Sequence, residues 1–312
     1  METIDLHQFP PKFHGPLTLA IGNFDGIHYA HKELFKLGRK MALSNNTDFG
    51  VMLFDPHPKK FFQPDIESFQ LTLLQDKLIE FEELKIDKVF IVPFKKIKDI
   101  LAYDFCKQIL VDGLKISHLV VGFDFCFGKK REGNTKTLRN FESNGHFKLS
   151  VVDPVFAGVK IEYSSSLIRE KIKNGKMQNV KKLLGRLWTV RGVVVDGERR
   201  GASIGYPTAN VILKDYIHPM KGVYAVEIFF DGNFFTGIAN FGIRPTFGQN
   251  SPILEVHIFD YKGDLYGNEI SIAFVDFIRS EKKFKNVDDL KKQILYDCDK
   301  AKNILGQRSL SL

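Results

Sequence analysis

The sequence predicts two domains: an α/β domain built on a parallel sheet, then an antiparallel β-barrel that ends in a single helix. Two patterns carry this reading. Through the first half, short apolar strand-like segments alternate with helix-like segments, the signature of crossover units in a parallel sheet. From Trp188 onward one strand-like segment follows another across glycine-containing turns, as in a closed antiparallel sheet. A chain of 312 residues is long enough to bury a core in each half.

Taken in order, Thr18–Ile21 reads as a buried strand running into a glycine-containing turn. Leu34, Leu37 and Met41 then recur at spacings of three and four, as one face of a helix does. Phe49–Phe54 is the next strand and Leu73–Leu84 the next helix. Val89–Val92, a helix near Tyr103–Leu114 and the strand Leu119–Val121 continue the alternation. Nucleotides bind beyond the carboxyl ends of such strands, and polar motifs directly follow the first, second and fourth of them. In the second half the strands are Trp188–Val195, Val223–Phe229, Phe235–Ala239, Leu254–Phe259 and Glu269–Phe277. Turns such as Asp231-Gly232-Asn233 and Lys262-Gly263-Asp264 separate them. A helix over about 286–304 closes the chain. The boundary is placed near Gly185, where a helix over Asn179–Leu184 stops on glycine, giving domains 1–185 and 186–312. There is no internal repeat and no low-complexity linker.

Composition narrows the function classes. Hydrophobic residues at 44% and charged residues at 26% are ordinary for a globular protein. No apolar run approaches a membrane span. The N-terminal stretch, with Glu2 and Asp5, lacks the basic start and apolar core of a signal peptide. Cys106, Cys126 and Cys298 form no CxxC pair, which argues against a disulfide framework or zinc site. Together these predict a cytoplasmic protein with no membrane partner. The net charge of +8 calls for anions, and both nucleic acid and polyphosphate nucleotides answer that description. The lysine clusters are short and no aromatic-interleaved RNA-binding signature is present, so nucleic acid is not expected. Most of these lysines read as a solvated face.

The loop after the first strand reads Gly22-Asn23-Phe24-Asp25-Gly26-Ile27-His28-Tyr29-Ala30-His31. Its two glycines let backbone approach a phosphate with no Cβ in the way. The helix beginning near His28 points its positive end at that anion. His28 and His31 lie on one face of the first turn. Two imidazoles aimed at one point suit the charge that develops when a phosphate chain is split. Two histidines alone are more often structural; their place after a strand and a glycine turn favours chemistry.

This segment resembles the GxFDGxHxGH motif of the FAD synthetase branch of the HxGH nucleotidyltransferases, which implies a Rossmann-like parallel sheet. Leu53-Phe54-Asp55-Pro56-His57-Pro58 resembles that branch's F-D/E-P-H-P turn, and the stretch Val121 to Gly128 resembles its GxDFxFG segment. Ser164-Ser165-Ser166-Leu167-Ile168-Arg169 resembles its SSTxIR signature, with Ser165 or Ser166 a plausible helix cap. By this resemblance Gly22, Asn23, Phe24, Gly26, His28, His31, Ser165, Ser166 and Arg169 face ATP. Pro56, His57, Pro58 and Asp124 face the flavin. His28, His31 and Arg169 carry the catalytic charge stabilisation, with Arg169 set against the departing pyrophosphate.

In the second half the segment Gly201-Ala202-Ser203-Ile204-Gly205-Tyr206-Pro207-Thr208-Ala209-Asn210 is, on composition alone, a polar turn after a glycine-rich loop. It resembles the GRxLGxPTAN signature of riboflavin kinases. Further matches follow in order at Gly222–Ala225, Asn240–Phe247, Leu254–His257, Asp264–Gly267 and Ile278–Phe284. The two resemblances together cover about Thr18 to Ala301 and are those of the prokaryotic bifunctional riboflavin kinase/FMN adenylyltransferase (FAD synthetase) family. They imply ATP-dependent conversion of riboflavin to FMN and of FMN to FAD, with Mg²⁺. Gly201, Ser203, Gly205 and Pro207 are implied to hold ATP, and Thr208 and Asn210 to hold Mg²⁺ through oxygen. Glu255 is implied as the base that meets the ribityl hydroxyl, and Arg279 as a flavin contact. Alternation along the strand leaves Glu255 facing either a cavity or solvent; the resemblance implies the cavity. Three positions depart from the pattern. Ala30 stands for glycine, Ser166 for threonine, and Ala202 for arginine, with Arg199 and Arg200 close by.

Overall fold

A computed structural model describes residues 1–6, 11–13, 15–66, 68–157, 161–197, 201, 204–213, 215–244 and 251–309. By contacts the chain forms two compact units. Residues 1–66 and 73–164 make one, and residues 67–72 and 165–312 the other.

The first unit is a six-stranded, all-parallel sheet. Its strands are β1 (Glu2–Asp5), β2 (Leu17–Ile21), β3 (Asp48–Asp55), β4 (Lys88–Pro93), β5 (Ile116–Gly122) and β6 (Lys148–Val152), in the order β1-β4-β3-β2-β5-β6. β1 and β6 add an edge strand on each side of the four read from the sequence. The chain winds from β2 outward through β3 and β4, then returns to the other side of β2 for β5 and β6. The order therefore reverses between β2 and β5, the place where open α/β sheets leave a crevice for ligands.

Alternate strand residues feed two cores, as expected of a sheet covered on both faces. On one face Leu19, Ile21, Met52, Phe90 and Leu119 pack with Phe105, Ile109, Leu138 and Phe141. On the other, Ala20, Val51, Leu53, Val89 and Val120 pack with Leu34, Phe35 and Phe81. The latter come from α1 (Tyr29–Asn45) and from the helix Leu74–Glu83. The buried stripe of α1 is Leu34, Phe35, Gly38 and Ala42, with Leu37 at its edge, so the face sits about one position away from the one predicted. The helix predicted near 103–114 is a short α-turn, Ala102–Asp104, that widens into a π-helix over Phe105–Gly113.

In the second unit two helices, Ser165–Lys173 and Met177–Leu184, precede a closed antiparallel barrel. The second helix ends on Gly185, which adopts the left-handed conformation (φ 73°) that glycine accepts without strain. Both helices group with the barrel; Gln178 donates its side-chain N–H to the Val275 carbonyl at 3.1 Å. The sequence-derived boundary near Gly185 and the contact division at Ser165 differ by these two helices.

After the two-residue strands β7 (Phe156–Ala157) and β8 (Ile161–Glu162) of the first unit, the barrel strands are β9 (Trp188–Val195), β10 (Ala209–Ile212), β11 (Gly222–Phe230), β12 (Asn233–Arg244), β13 (Ser251–Ile258) and β14 (Glu269–Ser280). They close in the order β10-β13-β12-β11-β14-β9, with β9 pairing back onto β10. Trp188, Tyr224, Phe241 and Phe274 are fully buried in its interior, where Trp188 stacks on Phe274 at 4.8 Å. Outside the barrel, Val223, Ala225, Ile238, Val275 and Ile278 are covered by Cys298, Ala301 and Leu305 of the C-terminal helix, Val287–Ser309.

Gly38 measures how closely α1 approaches the sheet. A Cβ there would stand 2.2 Å from the ring of Phe49, itself fully buried. Gly38→Ala is expected to destabilise the first unit by about 1–3 kcal/mol through overpacking, outweighing the roughly 1 kcal/mol that alanine gains in a helix. Urea unfolding of both proteins measures the difference.

Candidate active sites

At the carboxyl end of β2 the chain makes a tight turn. The Gly22 N–H donates to the Met52 carbonyl at 3.2 Å, and a Cβ at Gly22 would sit 2.9 Å from the Phe24 ring. Phe24 (φ 47°), Gly26 (φ 89°) and Ile27 (φ 44°) all occupy the left-handed region, two of them with large side chains. Packing holds them there: Ile27 is fully buried, and the Phe24 ring meets Phe35 at 4.8 Å and His31 edge-on at 5.3 Å. α1 then starts at Tyr29, with His28 in extended conformation at the cap position and no side-chain cap bond. The N-terminal end of α1, with its positive dipole, thus stands at the carboxyl end of β2.

The two histidines do more than share a face. Their rings stack, with centroids 3.7 Å apart and planes 19° from parallel. His28 is buried, and the His31 Nδ1 atom is shut off from solvent. That Nδ1 atom and the Asn23 amide oxygen make no hydrogen bond among the described residues. Burial first, and then the nearby charges of His28 and Lys77, hold the His31 imidazole well below its usual range. A third buried histidine shows the contrast. His118 on β5 bonds Ser150 through Nε2 (2.8 Å) and Asn45 through Nδ1 (3.4 Å), a structural arrangement.

The ends of β3 and β5 flank this loop. After β3, a cis Asp55–Pro56 bond leads into the short helix Pro58–Phe62, with Pro58 at its start. His57 caps it, its Nδ1 accepting the Lys59 N–H at 3.1 Å; Pro56 is exposed. After β5, Asp124 is exposed in a turn closed by the Phe125 N–H on the Gly122 carbonyl at 3.1 Å. β3, β2 and β5 are neighbours, so the predicted nucleotide and flavin motifs of this unit share one sheet edge. Ala30 stands half-buried in the first turn of α1.

Ser165, Ser166 and Arg169 belong to the second unit. The helix begins at Ser165, so Ser165 and Ser166 lie within its first turn and the capping position falls to Ser164, one residue earlier than predicted. Arg169 donates from Nε to the Phe69 carbonyl at 2.8 Å, with its guanidinium over the Phe69 ring.

In the barrel, register assembles the site. Glu255 on β13 pairs directly with Asn210 on β10 and with Asn240 on β12; Asn240 pairs with Val223 on β11, and Val223 with Arg279 on β14. Residues opposite one another across antiparallel strands share a face. Leu254 and Val256 turn into the barrel and are fully buried, which sends half-buried Glu255 to the outer face with Asn210 and Asn240. Two positions before Asn210, Thr208 lines a cavity of about 280 Å³ with Pro207, Ala209, Val256, Tyr261 and Tyr266. The preceding loop turns back on itself: the Tyr206 N–H reaches the Gly201 carbonyl at 2.8 Å, and a Cβ at Gly201 would lie 2.2 Å from the Tyr206 carbonyl oxygen. Gly205 takes φ 90°, and His257 Nδ1 lies 2.8 Å from the Pro207 carbonyl. Ser203, Ala202, Arg199 and Arg200 lie outside the described residues.

Arg279, predicted as a flavin contact, is engaged by the C-terminal helix. Its guanidinium bonds buried Asp297 through Nε (2.8 and 3.0 Å) and Nη2 (2.7 Å). Its Nη1 donates to the Ser280 carbonyl at 2.9 Å. Two residues to which the sequence reading gave no role stand beside the candidate sites. Asn240 opens a segment that matched the kinase pattern, but its place opposite Glu255 comes from register. Lys77, buried on the helix Leu74–Glu83, donates to the Asn23 carbonyl at 2.9 Å; a lysine in a helical pattern carries no signal of burial.

A parallel sheet with a glycine turn and paired imidazoles at its switch point, followed by a barrel with an oxygen-donor row, defines a two-site transferase acting on phosphate compounds. The FAD synthetase family model matches residues 11–167 and the riboflavin kinase model residues 184–305. The bifunctional riboflavin kinase/FMN adenylyltransferase of Haemophilus influenzae is 38% identical, covering 91% of this chain and 93% of its own. That of Bacillus subtilis is 35% identical, with 91% of each chain covered. The crystal structure of a Streptococcus pneumoniae protein described as a macrolide-efflux protein superposes with a TM-score of 0.85 at 29% identity, over 95% of this chain and 97% of that one. The chain belongs to the bifunctional riboflavin kinase/FMN adenylyltransferase family. Among its described residues no helix is long and apolar enough to cross a membrane.

The environment of His31 has a measurable consequence. Between the unfolded value of about 6.5 and the lower folded one, the unfolded chain binds a proton that the folded His31 refuses. Stability therefore falls as pH drops below about 6.5. His31→Gln is expected to flatten this loss, read as a smaller shift of the urea midpoint between about pH 7.5 and 5.5.

Proposed function

We propose that the two reactions are divided between the two sites. The chain is a riboflavin kinase and FMN adenylyltransferase. We assign phosphorylation of riboflavin to the barrel row and adenylylation of FMN to the crevice between β2 and β5. One observation carries the division: Thr208, Asn210 and Glu255 stand together on the barrel, whereas the stacked histidines stand at the switch point of the parallel sheet. Residues 1–185 are taken as the adenylyltransferase half and 186–312 as the kinase half.

In the barrel, Glu255 accepts the proton of the terminal ribityl hydroxyl as that oxygen attacks the γ-phosphorus of ATP, and ADP departs. Asn240 and Asn210 on either side of Glu255 give it amide neighbours that neither compete for the proton nor add charge. The cavity beside Thr208, walled by Val256, Tyr261 and Tyr266, offers apolar and aromatic surface to the nucleoside part of ATP. The residues fit Mg²⁺. The hydroxyl of Thr208 and the amide oxygen of Asn210, with the Glu255 carboxylate next to Asn210, are hard donors of the kind that ion takes alongside substrate phosphates. When bound, it neutralises charge building on the transferred phosphoryl group.

In the crevice the phosphate of FMN, already ionised at neutral pH, attacks the α-phosphorus of a second ATP and expels pyrophosphate. No strong base is needed, so the work is positioning and charge stabilisation. The loop backbone and first turn of α1 receive phosphate oxygens, and His28 and His31 donate to the oxygens that gain charge; the role the family resemblance implies for Arg169 is charge stabilisation of the pyrophosphate. His57, Pro56, Pro58 and Asp124 border the flavin. Arg279, held by Asp297, shapes the flavin end of the barrel. Reduced thiols at Cys106, Cys126 and Cys298 accord with a cytoplasmic protein that binds flavins and ATP.

Glu255→Gln is expected to abolish FMN formation from riboflavin while FAD formation from supplied FMN continues, read by chromatography of flavins after incubation with ATP and Mg²⁺. Loss of both steps in a protein still folded by circular dichroism contradicts the two-site reading.

His28→Ala and His31→Ala are each expected to lower FAD formation about a hundredfold or more, the scale for losing a group that stabilises transition-state charge. FMN formation by the same proteins should stay near the parent rate. Full adenylylation by either variant returns that histidine to a structural role.

A further inference from the structure

Lys77 is costly where it stands. It is buried, it sits in the first turn of its helix, where the helix dipole disfavours a cation, and its charge acts on the His31 imidazole. What the side chain does there is visible. Its ammonium donates to the backbone carbonyl of Asn23 at 2.9 Å, within the turn that leads from β2 to the histidine pair. That turn contains two large residues at positive φ, so it needs outside support to keep its shape.

We propose that Lys77 is a positioning residue for adenylyl transfer: from the helix Leu74–Glu83 it pins the Asn23 carbonyl and places a fixed positive charge behind His28 and His31. The proposal rests on the reading of those histidines as the adenylyl-transfer groups. The pinned carbonyl sets the direction of the Asn23 side chain, whose buried amide oxygen has no partner among the described residues and so belongs to a site completed by substrate. The charge has a second effect, on protonation. The ionisable groups that act on His31 are His28 at the start of its own helix and Lys77 on the helix Leu74–Glu83; Asp25 is buried in the same turn. Asp76, next to Lys77, accepts the Leu73 N–H at 2.9 Å. The Lys77 charge is one of the causes that keep the His31 ring neutral, and a neutral imidazole presents its N–H to phosphate without binding it as a salt.

Lys77→Met keeps the buried stem and removes the cation; Lys77→Arg keeps the cation. In the full-length protein, Lys77→Met is expected to lower kcat for FAD formation from FMN about tenfold or more, the scale of a lost charge-assisted hydrogen bond. FMN formation from riboflavin, which uses the barrel, should not change. The titration midpoint of the His31 imidazole, followed by NMR, should rise in Lys77→Met and stay low in Lys77→Arg, with part of the adenylylation rate recovered. FAD formation within about twofold of the parent in Lys77→Met, or an unmoved His31 midpoint, overturns the proposal. If Lys77→Met fails to fold, a raised midpoint in folded Lys77→Arg overturns it as well. Full FAD formation by His28→Ala and His31→Ala, with the midpoint shift still present, would instead locate the error in the role of the histidines.

Discussion

Because residues paired across an antiparallel ladder share a face, the backbone bonds that tie β13 to β10 on one side and to β12 on the other also decide what surrounds Glu255. A slip of one residue would turn that carboxylate into an interior filled by Trp188, Tyr224, Phe241 and Phe274, where nothing could solvate it. The same bonds bring Asn210 and Asn240 alongside it from strands distant in sequence. In the parallel unit the constraint takes another form. All six strands run in one direction, so the ends of β3, β2 and β5 emerge at a single edge, and the reversal of winding between β2 and β5 leaves the crevice there.

The two sites differ in where they place unfavourable features. In the barrel row Asn210 is buried and Glu255 half-buried, and the ladder alone sets the face they share. The crevice concentrates such features: two stacked imidazoles, a buried aspartate and two non-glycine residues at positive φ lie between β2 and the first turn of α1, and Lys77 reaches the Asn23 carbonyl from the helix Leu74–Glu83. The buried His31 imidazole and the left-handed backbone of the turn are each costly, and the neutral His31 ring keeps an N–H to offer a polyphosphate oxygen. The hydrophobic contacts of Phe24 with Phe35 and Phe81, and of Gly38 with Phe49, hold this arrangement in place from below.

Much of this was legible in the sequence because the strong signals are periodic. Phe49–Phe54, Val89–Val92 and Trp188–Val195 are apolar runs or alternations bounded by turns, and each is a strand in the structure. The misses have physical reasons. β1 is short, charged and mostly exposed, and becomes a strand only by pairing with β4. β10 has four residues and is held by β13 and β9 rather than by its own pattern. The π-helical turn at 105–113 keeps a helical spacing of apolar residues, so its wider pitch leaves no trace in sequence. Among the candidate site residues, motifs singled out the histidines and Glu255. The ring stacking, the burial of Lys77 and the pairing of Asn240 with Glu255 depend on tertiary structure. The anchoring of Arg279 by Asp297 joins residues from a strand and a helix whose pairing no local pattern announces.

The central claim is that one chain holds two separate chemical sites linked only by the FMN that passes between them. A mixing experiment tests it most directly. Glu255→Gln, which makes no FMN, and His31→Ala, slowed about a hundredfold or more in making FAD, are combined in one solution with riboflavin, ATP and Mg²⁺. The account predicts that the mixture makes FAD faster than His31→Ala alone, because FMN formed by the barrel of one protein diffuses to the crevice of the other. A mixture that makes FAD no faster, while both proteins remain folded and each retains its other activity, would contradict it.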